Sequence, residues 1–332
     1  MRVLMFGGTG LMGPFVVREL DRLGHEITVC HRGEHEPGLP PTVRHVHGDL
    51  ASFGDRVDGL RGLRPHVVLD MLAFTRADAA RIGAFAGVAH RAVVASSCDV
   101  YRAYGRLWRT EPGPPDPVPL TEDSPLRERV IDEGYDKVGV EEALRRLDLP
   151  TTVLRLPAVH GPGDYQHRLW SHLKRMDDGR AAILLDEQLA GWRWTRGYAE
   201  DVAHAIVLAV TDPGSAGRTY NVGADPVPTE AEWVAAIAEA AGWEGEVVTA
   251  PSKTLPEYLR EDAFDLRQQY VLDSSRIRRQ LGYEEVVDPI VALRRTVEWE
   301  RANPPGPEHP HPTRVDRFDY AAENAALEAA GA

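Results

Sequence analysis

Short apolar runs recur through the first half of the chain, each closed by glycine or polar residues and followed by a stretch with helical spacing. Val3 to Phe6, His25 to Cys30, Val43 to Val46, His66 to Met71, Arg91 to Ala95 and Thr152 to Leu156 read as strands. His66 to Met71 is solidly apolar, as a parallel sheet covered on both faces requires. Helical spacing opens near Gly10, with Phe15, Val16, Leu20 and Leu23 on one face, and returns over Ala77 to Val88 and Val130 to Leu147. This alternation predicts right-handed βαβ units in one doubly wound parallel sheet, an α/β fold.

After Asp164 the pattern changes. Helices are predicted over Tyr165 to Asp178, Asp201 to Val210, Thr229 to Ala241, Asp273 to Leu281 and Asp288 to Asn303, with strands at Ala182 to Leu185 and Arg218 to Val222. Thr229 followed by Glu232 is a capping box, and Asp201 reads as an N-cap. The expected division is a domain over 1–160 to which 195–225 returns, a smaller α/β lobe over 161–194 and 226–303, and a proline-rich tail with a short helix over 304–332. That tail packs either on the body or on a partner subunit.

Composition narrows the chemistry. The 332 residues carry a formal net charge of −13 and no basic stripe, which argues against a nucleic-acid binder. Cys30 and Cys98 share no ligand spacing, so cysteine usage indicates neither a disulfide framework nor a metal site. No apolar run is long enough for a membrane span. The first strand starts at Arg2, leaving no room for a signal peptide, and a cytoplasmic protein is expected.

Gly7-x-x-Gly10-x-x-Gly13 follows the first strand and opens the first helix. In that context small residues let a dinucleotide pyrophosphate approach the helix N-terminal amides. Gly7, Thr9, Gly10, Leu11, Met12 and Gly13 are therefore candidate cofactor contacts. The second strand ends in His31-Arg32, where a carboxylate would favour NAD and a base tolerates the 2′-phosphate of NADP. The nearest acid, Glu34, lies beyond Gly33. NADP is expected, with NAD the alternative; Arg32 could instead stack on adenine, indifferent to the phosphate. Asp49, before Leu50, either accepts from the adenine amino group or caps the next turn. Leu72, Ala73 and Phe74 sit at the ligand-binding edge of the fourth strand.

Taken in order, these residues resemble the extended short-chain dehydrogenase/reductases, specifically the NAD-dependent epimerase/dehydratase family. The matching stretches are the glycine motif, Gly48-Asp49-Leu50, Ser96-Ser97-x-x-Val100-Tyr101, Thr121 to Pro125, Arg155 to Gly163, Arg193 to Ala203 and Tyr220 to Gly223. The resemblance implies a Rossmann domain, a C-terminal substrate lobe, a homodimer, and an anionic, sugar-like small-molecule substrate. It implies that Ser97 bonds the reacting oxygen and that Pro157, Val159 and Lys137 contact the cofactor. Tyr101, His160 and Arg193 match substrate-side positions. Lobe core remains the alternative for Trp192 and Trp194, but an arginine between them is hard to bury without an anion.

The family's Tyr-x-x-x-Lys is altered. Lys137 has Glu133 four residues before it, and Tyr135 stands two before, about 200° away on a regular helix. Either Tyr135 swings in from an irregular start, or a carboxylate replaces it. Glu133 is either an ion-pair partner of Lys137 or a base. Asp99 matches the proton-abstracting position of the dehydratases, or is a loop residue bonding its own backbone. The expected activity is transient oxidation at a carbinol carbon with epimerisation or dehydration next to it. The alternatives are an NADPH-dependent carbonyl reductase and a non-catalytic cofactor-binding protein.

Overall fold

The computed structural model describes residues 1–34, 38–306 and 318–331. Seven parallel strands form the central sheet: β1 (Arg2–Phe6), β2 (Glu26–His31), β3 (Arg44–His47), β4 (Val67–Asp70), β5 (Arg91–Ser97), β6 (Thr151–Leu156) and, from further along the chain, Thr219–Asn221. Their spatial order is β3-β2-β1-β4-β5-β6 and then Thr219–Asn221, so the strand order reverses beside β1. In such sheets ligands bind outside the carboxyl ends of the strands at this switch point. The doubly wound expectation holds.

Alternation along β1 sets the two layers. Val3 and Met5 pack with Val16, Val17 and Leu20 of the helix Gly13–Arg22 and with Val202, Ala205, Ile206 and Ala209 of the helix Ala199–Thr211. Leu4 and Phe6 face the other way, onto Ile82, Phe85, Val140 and Leu144. Both faces are covered, which is why the strands read as nearly continuous apolar runs.

Several element bounds shift for local reasons. The first helix starts at Gly13 rather than Gly10, because Gly7 and Gly8 take φ of +90° and +113° and carry the turn. A Cβ on Gly13 would lie 2.3 Å from the Gly8 carbonyl carbon, whereas one on Gly10 meets nothing within 4 Å. Gly13→Ala is therefore expected to cost about 1–3 kcal/mol through overpacking and Gly10→Ala almost nothing, as side-by-side thermal unfolding would show. The helix predicted over Ala77 to Val88 is regular only at Ala79–Gly83. The one predicted from Val130 begins at Lys137, because Asp132 accepts from the Gly134 amide at 2.7 Å and closes a turn.

The second lobe is built around the parallel pair Ala182–Asp186 and Glu246–Ala250. Helices Trp170–Asp177, Glu230–Ala241 and Pro289–Ala302 contribute to its core. The Thr229–Glu232 capping box is present. Asp201 is not a cap: it lies inside the helix Ala199–Thr211, and its carboxylate accepts from the Val286 and Val287 amides at 2.7 and 3.0 Å. Of the two fates open to the tail helix, packing on the body is observed. Glu323 of Tyr320–Ala330 is buried against Arg175, and Ala326 packs with Leu184, Ala250 and Leu255. The proline-rich stretch before it falls largely outside the described residues.

Candidate active site

The carboxyl end of β5 delivers Ser97, and a 3-10 turn over Cys98–Val100 delivers Asp99. The Ser97 hydroxyl accepts from the Asp99 amide at 3.3 Å. Across from them the Asp136 side chain caps the helix Lys137–Leu144 by accepting from the Gly139 amide at 2.9 Å. Asp136 also donates its own amide to the Phe74 carbonyl at 2.7 Å. Tyr135 thus precedes the helix instead of riding on it, and the 200° argument does not apply. Its side chain interacts with those of Ser97 and Asp99, and its ring lies 6.1 Å from that of Phe74.

Lys137 is buried and donates from Nζ to the Ala73 and Ala95 carbonyls, at 2.7 and 3.1 Å. The ammonium therefore bridges the ends of β4 and β5. It sits 4.6 Å from the Phe74 ring centre and 5.7 Å from that of Tyr135, within the range of cation–π attraction. One helical turn on, Glu141 is buried and clamps Arg155 through Nε and Nη2 at 3.0 and 2.7 Å, while accepting from Ser96 at 2.8 Å. That pair ties the lysine-bearing helix to β5 and β6.

Burial dominates the electrostatics of the group. It raises Asp99 above the ordinary carboxylate range, against the pull of Tyr135, Arg127, Ser97 and Lys137. Asp99 Oδ1 is buried without a hydrogen-bond partner among the described residues. Burial, and then the neighbouring Asp99, hold the Tyr135 phenol well above its usual value, so it rests protonated. Burial lowers Lys137 to about 8, opposed by Asp99, Asp70, Asp78 and Glu141.

The glycine turn fits a dinucleotide phosphate. No side chain caps the helix Gly13–Arg22 and no acid stands in its first turn, so its N-terminal amides can receive an anion. Gly10 leaves its side of the turn open, with nothing within 4 Å of where a Cβ would stand. Gly163 approaches the same turn, its Cβ position lying 3.7 Å from Leu11 Cα. Asp49 is exposed just before a 3-10 turn over Leu50–Asp55. Leu72 and Ala73 follow β4, with Phe74 partly exposed beside them; Pro157 and Val159 are buried at the β6 edge. At the end of β2, Arg32 pairs with Glu34 at 3.0 Å with both side chains largely exposed, and His31 is buried.

Four expected site residues are not brought to Ser97. Glu133 is exposed in the turn before the helix, since the helix that would have set it beside Lys137 starts four residues later. Tyr101 is fully buried, its hydroxyl donating to Asn221 Oδ1 at 2.5 Å and accepting from Arg155 at 3.0 Å, so its one proton is committed inside the core. His160 is buried against Thr296, Tyr198 and Trp233, and burial lowers it to about 3. Arg193 is exposed, because alternation along this extended segment turns it away from Trp192 and Trp194. Arg196 instead stacks 4.6 Å from the Trp233 ring centre and pairs with Glu230 at 2.5 Å.

One contributor had gone unnoticed. Arg127, between the helices Arg102–Leu107 and Lys137–Leu144, is buried and donates to the Asp99 carbonyl at 2.9 Å. Its signal was only an arginine in a polar loop. Among the described residues no helix is long and apolar enough to cross a membrane.

Comparison with known proteins bears on the family and the fold. The chain is 30% identical over 279 residues, 80% of its length and 73% of the relative's, to 2′-dehydrokanamycin reductase of Streptomyces kanamyceticus. It is 31% identical over 183 residues to a dTDP-glucose 4,6-dehydratase of Streptomyces griseus, covering 54% of this chain and 52% of that one. Bordetella bronchiseptica WbmG in complex with NAD superposes with a TM-score of 0.69 at 21% identity, over 91% of this chain and 94% of that one. Thermotoga maritima UDP-glucose 4-epimerase with UDP-glucose gives 0.65 at 19%, over 91% and 99%. A family model, "NAD dependent epimerase/dehydratase family", matches residues 3–223. With its strand order, glycine turn and Ser97–Tyr135–Lys137 group, the chain belongs to the NAD-dependent epimerase/dehydratase family.

Proposed function

We propose that this protein reduces a ketone on a polar, sugar-like ring, with NADPH as the preferred reductant and Tyr135 as the proton donor. The convergence of Ser97, Asp99 and Tyr135 beside a buried lysine carries the reading. The bound nicotinamide supplies hydride. The glycine turn would hold its phosphates, and Lys137, which donates to the Ala73 and Ala95 carbonyls, would have a third N–H for a ribose hydroxyl. Ser97 and Tyr135 bond the substrate oxygen, and the phenol, kept protonated by burial and by Asp99, gives its proton to the oxygen as negative charge develops there. Asp99, in contact with the phenol, is the group through which that proton is replaced. The absence of a carboxylate at His31-Arg32 supports NADP over NAD. The name of one relative, 2′-dehydrokanamycin reductase, supports a reductive direction.

Mixing the protein with NADPH and a panel of keto-sugars, free and nucleotide-linked, tests this: reduced cofactor should disappear in step with product. The orphaned Asp99 Oδ1 favours a second reading, α-proton abstraction in an epimerase or dehydratase. There product would form with no net change in cofactor. Turnover in neither mode overturns both.

Activity that needs the Lys137 ammonium should be full below about pH 8 and decline above it, in a profile of kcat/KM. Folding responds with the opposite sign. From about 8 to the ordinary lysine value the unfolded chain keeps a proton that the native chain releases, so this group's contribution to stability rises with pH across that window.

A further inference from the structure

Parallel pairing of β2 with β3 sets His31 opposite His47 and Val29 opposite His45. Because side chains alternate along a strand, His31, His45 and His47 share one face at the carboxyl edge of the sheet. Ring centres are 5.0 Å apart for His31 and His45, 4.7 Å for His31 and His47, and 6.0 Å for His45 and His47. One nitrogen from each lies within 4.8 Å of the other two. His31 Nε2 and His45 Nδ1 are 2.8 Å apart. His31 is buried, His45 partly buried and His47 exposed, so the group is anchored at its base and open to solvent at its rim.

We propose that these three imidazoles bind a borderline divalent transition ion of the zinc type. Neutral imidazole is a preferred ligand for such ions, and no oxygen donor in the triad suits magnesium or calcium. Tetrahedral geometry with metal–nitrogen bonds of about 2.0–2.1 Å asks for nitrogens roughly 3.4 Å apart. The His31–His45 pair is already that close, and His47 closes by side-chain rotation from its exposed side. The ion replaces the proton between His31 Nε2 and His45 Nδ1. His31 then carries its proton on Nδ1 and gives up the 3.2 Å bond it accepts from the Gly33 amide. The nearby Arg32 is offset by Glu34, while Arg56 donates to the His47 carbonyl, outside the triad. Solvent supplies the remaining ligand. The site lies beside Arg32 and Asp49, the two residues expected near the cofactor's adenosine end.

Equilibrium dialysis of tag-free full-length protein against Zn²⁺, with Mg²⁺ in parallel, reads the site. The absorption of the Co²⁺ form reports tetrahedral coordination. About one Zn²⁺ per chain is expected, with no comparable Mg²⁺ uptake. His47→Gln, an exposed change that leaves the fold intact, should weaken Zn²⁺ binding by at least about tenfold, and His45→Gln likewise. The double variant His309→Gln/His311→Gln, in the tail's own histidine-rich stretch, should bind as the unaltered chain does. Absence of Zn²⁺ binding, unchanged affinity in His47→Gln, or loss confined to the tail variant overturns the proposal. No nicotinamide enters these measurements, so they stand or fall separately from the reductase reading.

Discussion

Tyr135→Phe is expected to lower kcat/KM for ketone reduction by about 10²–10⁴-fold, the usual contribution of a positioned proton donor. Only the phenol oxygen is lost. The ring keeps its place beside Phe74 and Lys137, so the variant should fold normally and bind reduced cofactor as before, by fluorescence titration. Ser97→Ala should cost less, since it removes one of two hydrogen bonds to the substrate oxygen and not the proton itself. Glu133→Gln should leave turnover unchanged, because that side chain is exposed. A Tyr135→Phe enzyme within tenfold of the unaltered protein would remove the phenol from the chemistry and leave Asp99 to carry it.

The largest expected effect on stability comes from Arg155→Leu. Arg155 and Glu141 are 2% and 1% exposed and joined by two hydrogen bonds. Removing Arg155 leaves the buried Glu141 carboxylate with only the half-exposed Arg145 at 3.3 Å and the Ser96 hydroxyl at 2.8 Å, a loss of about 3 kcal/mol, the low end for breaking a buried pair. At roughly 2–4 °C of Tm per kcal/mol for chains of this order of size, a fall of about 10 °C is expected in a thermal scan. The Tyr101 hydroxyl and the Glu122 carbonyl also lose their donor, which adds to the cost. Arg155→Leu combined with Glu141→Leu should recover much of the loss, since no charge is then stranded. A single variant within 1 kcal/mol of the unaltered protein would mean that solvent reaches this pair.

What the sequence could disclose differed from residue to residue. Lys137 was legible from its place in the altered motif, but not the role of Glu141 one helical turn on, because its partner Arg155 lies on another strand. Tyr101 and His160 looked like substrate contacts by position in a motif; burial and partners from distant segments assign them to the interior. Arg127 was invisible because nothing local distinguishes a buried loop arginine from a solvated one.

The amino-acid order alone determined the alternating elements, the glycine turn and the serine after the fifth strand, since these depend on interactions within a few residues. It left open whether Tyr135, two residues from Lys137, swings in from an irregular helix start or is replaced by a carboxylate. Where the helix begins settles that, and the Asp132 turn, the Asp136 cap and the backbone bond to Phe74 set its start. The histidine triad divides the same way: His45-x-His47 can be read along the chain, but its third member joins only through the pairing of two parallel strands. Local propensity acts over a turn or two. Burial and strand register are set by the whole packed chain, and they decide which side chains are ligands and which are core.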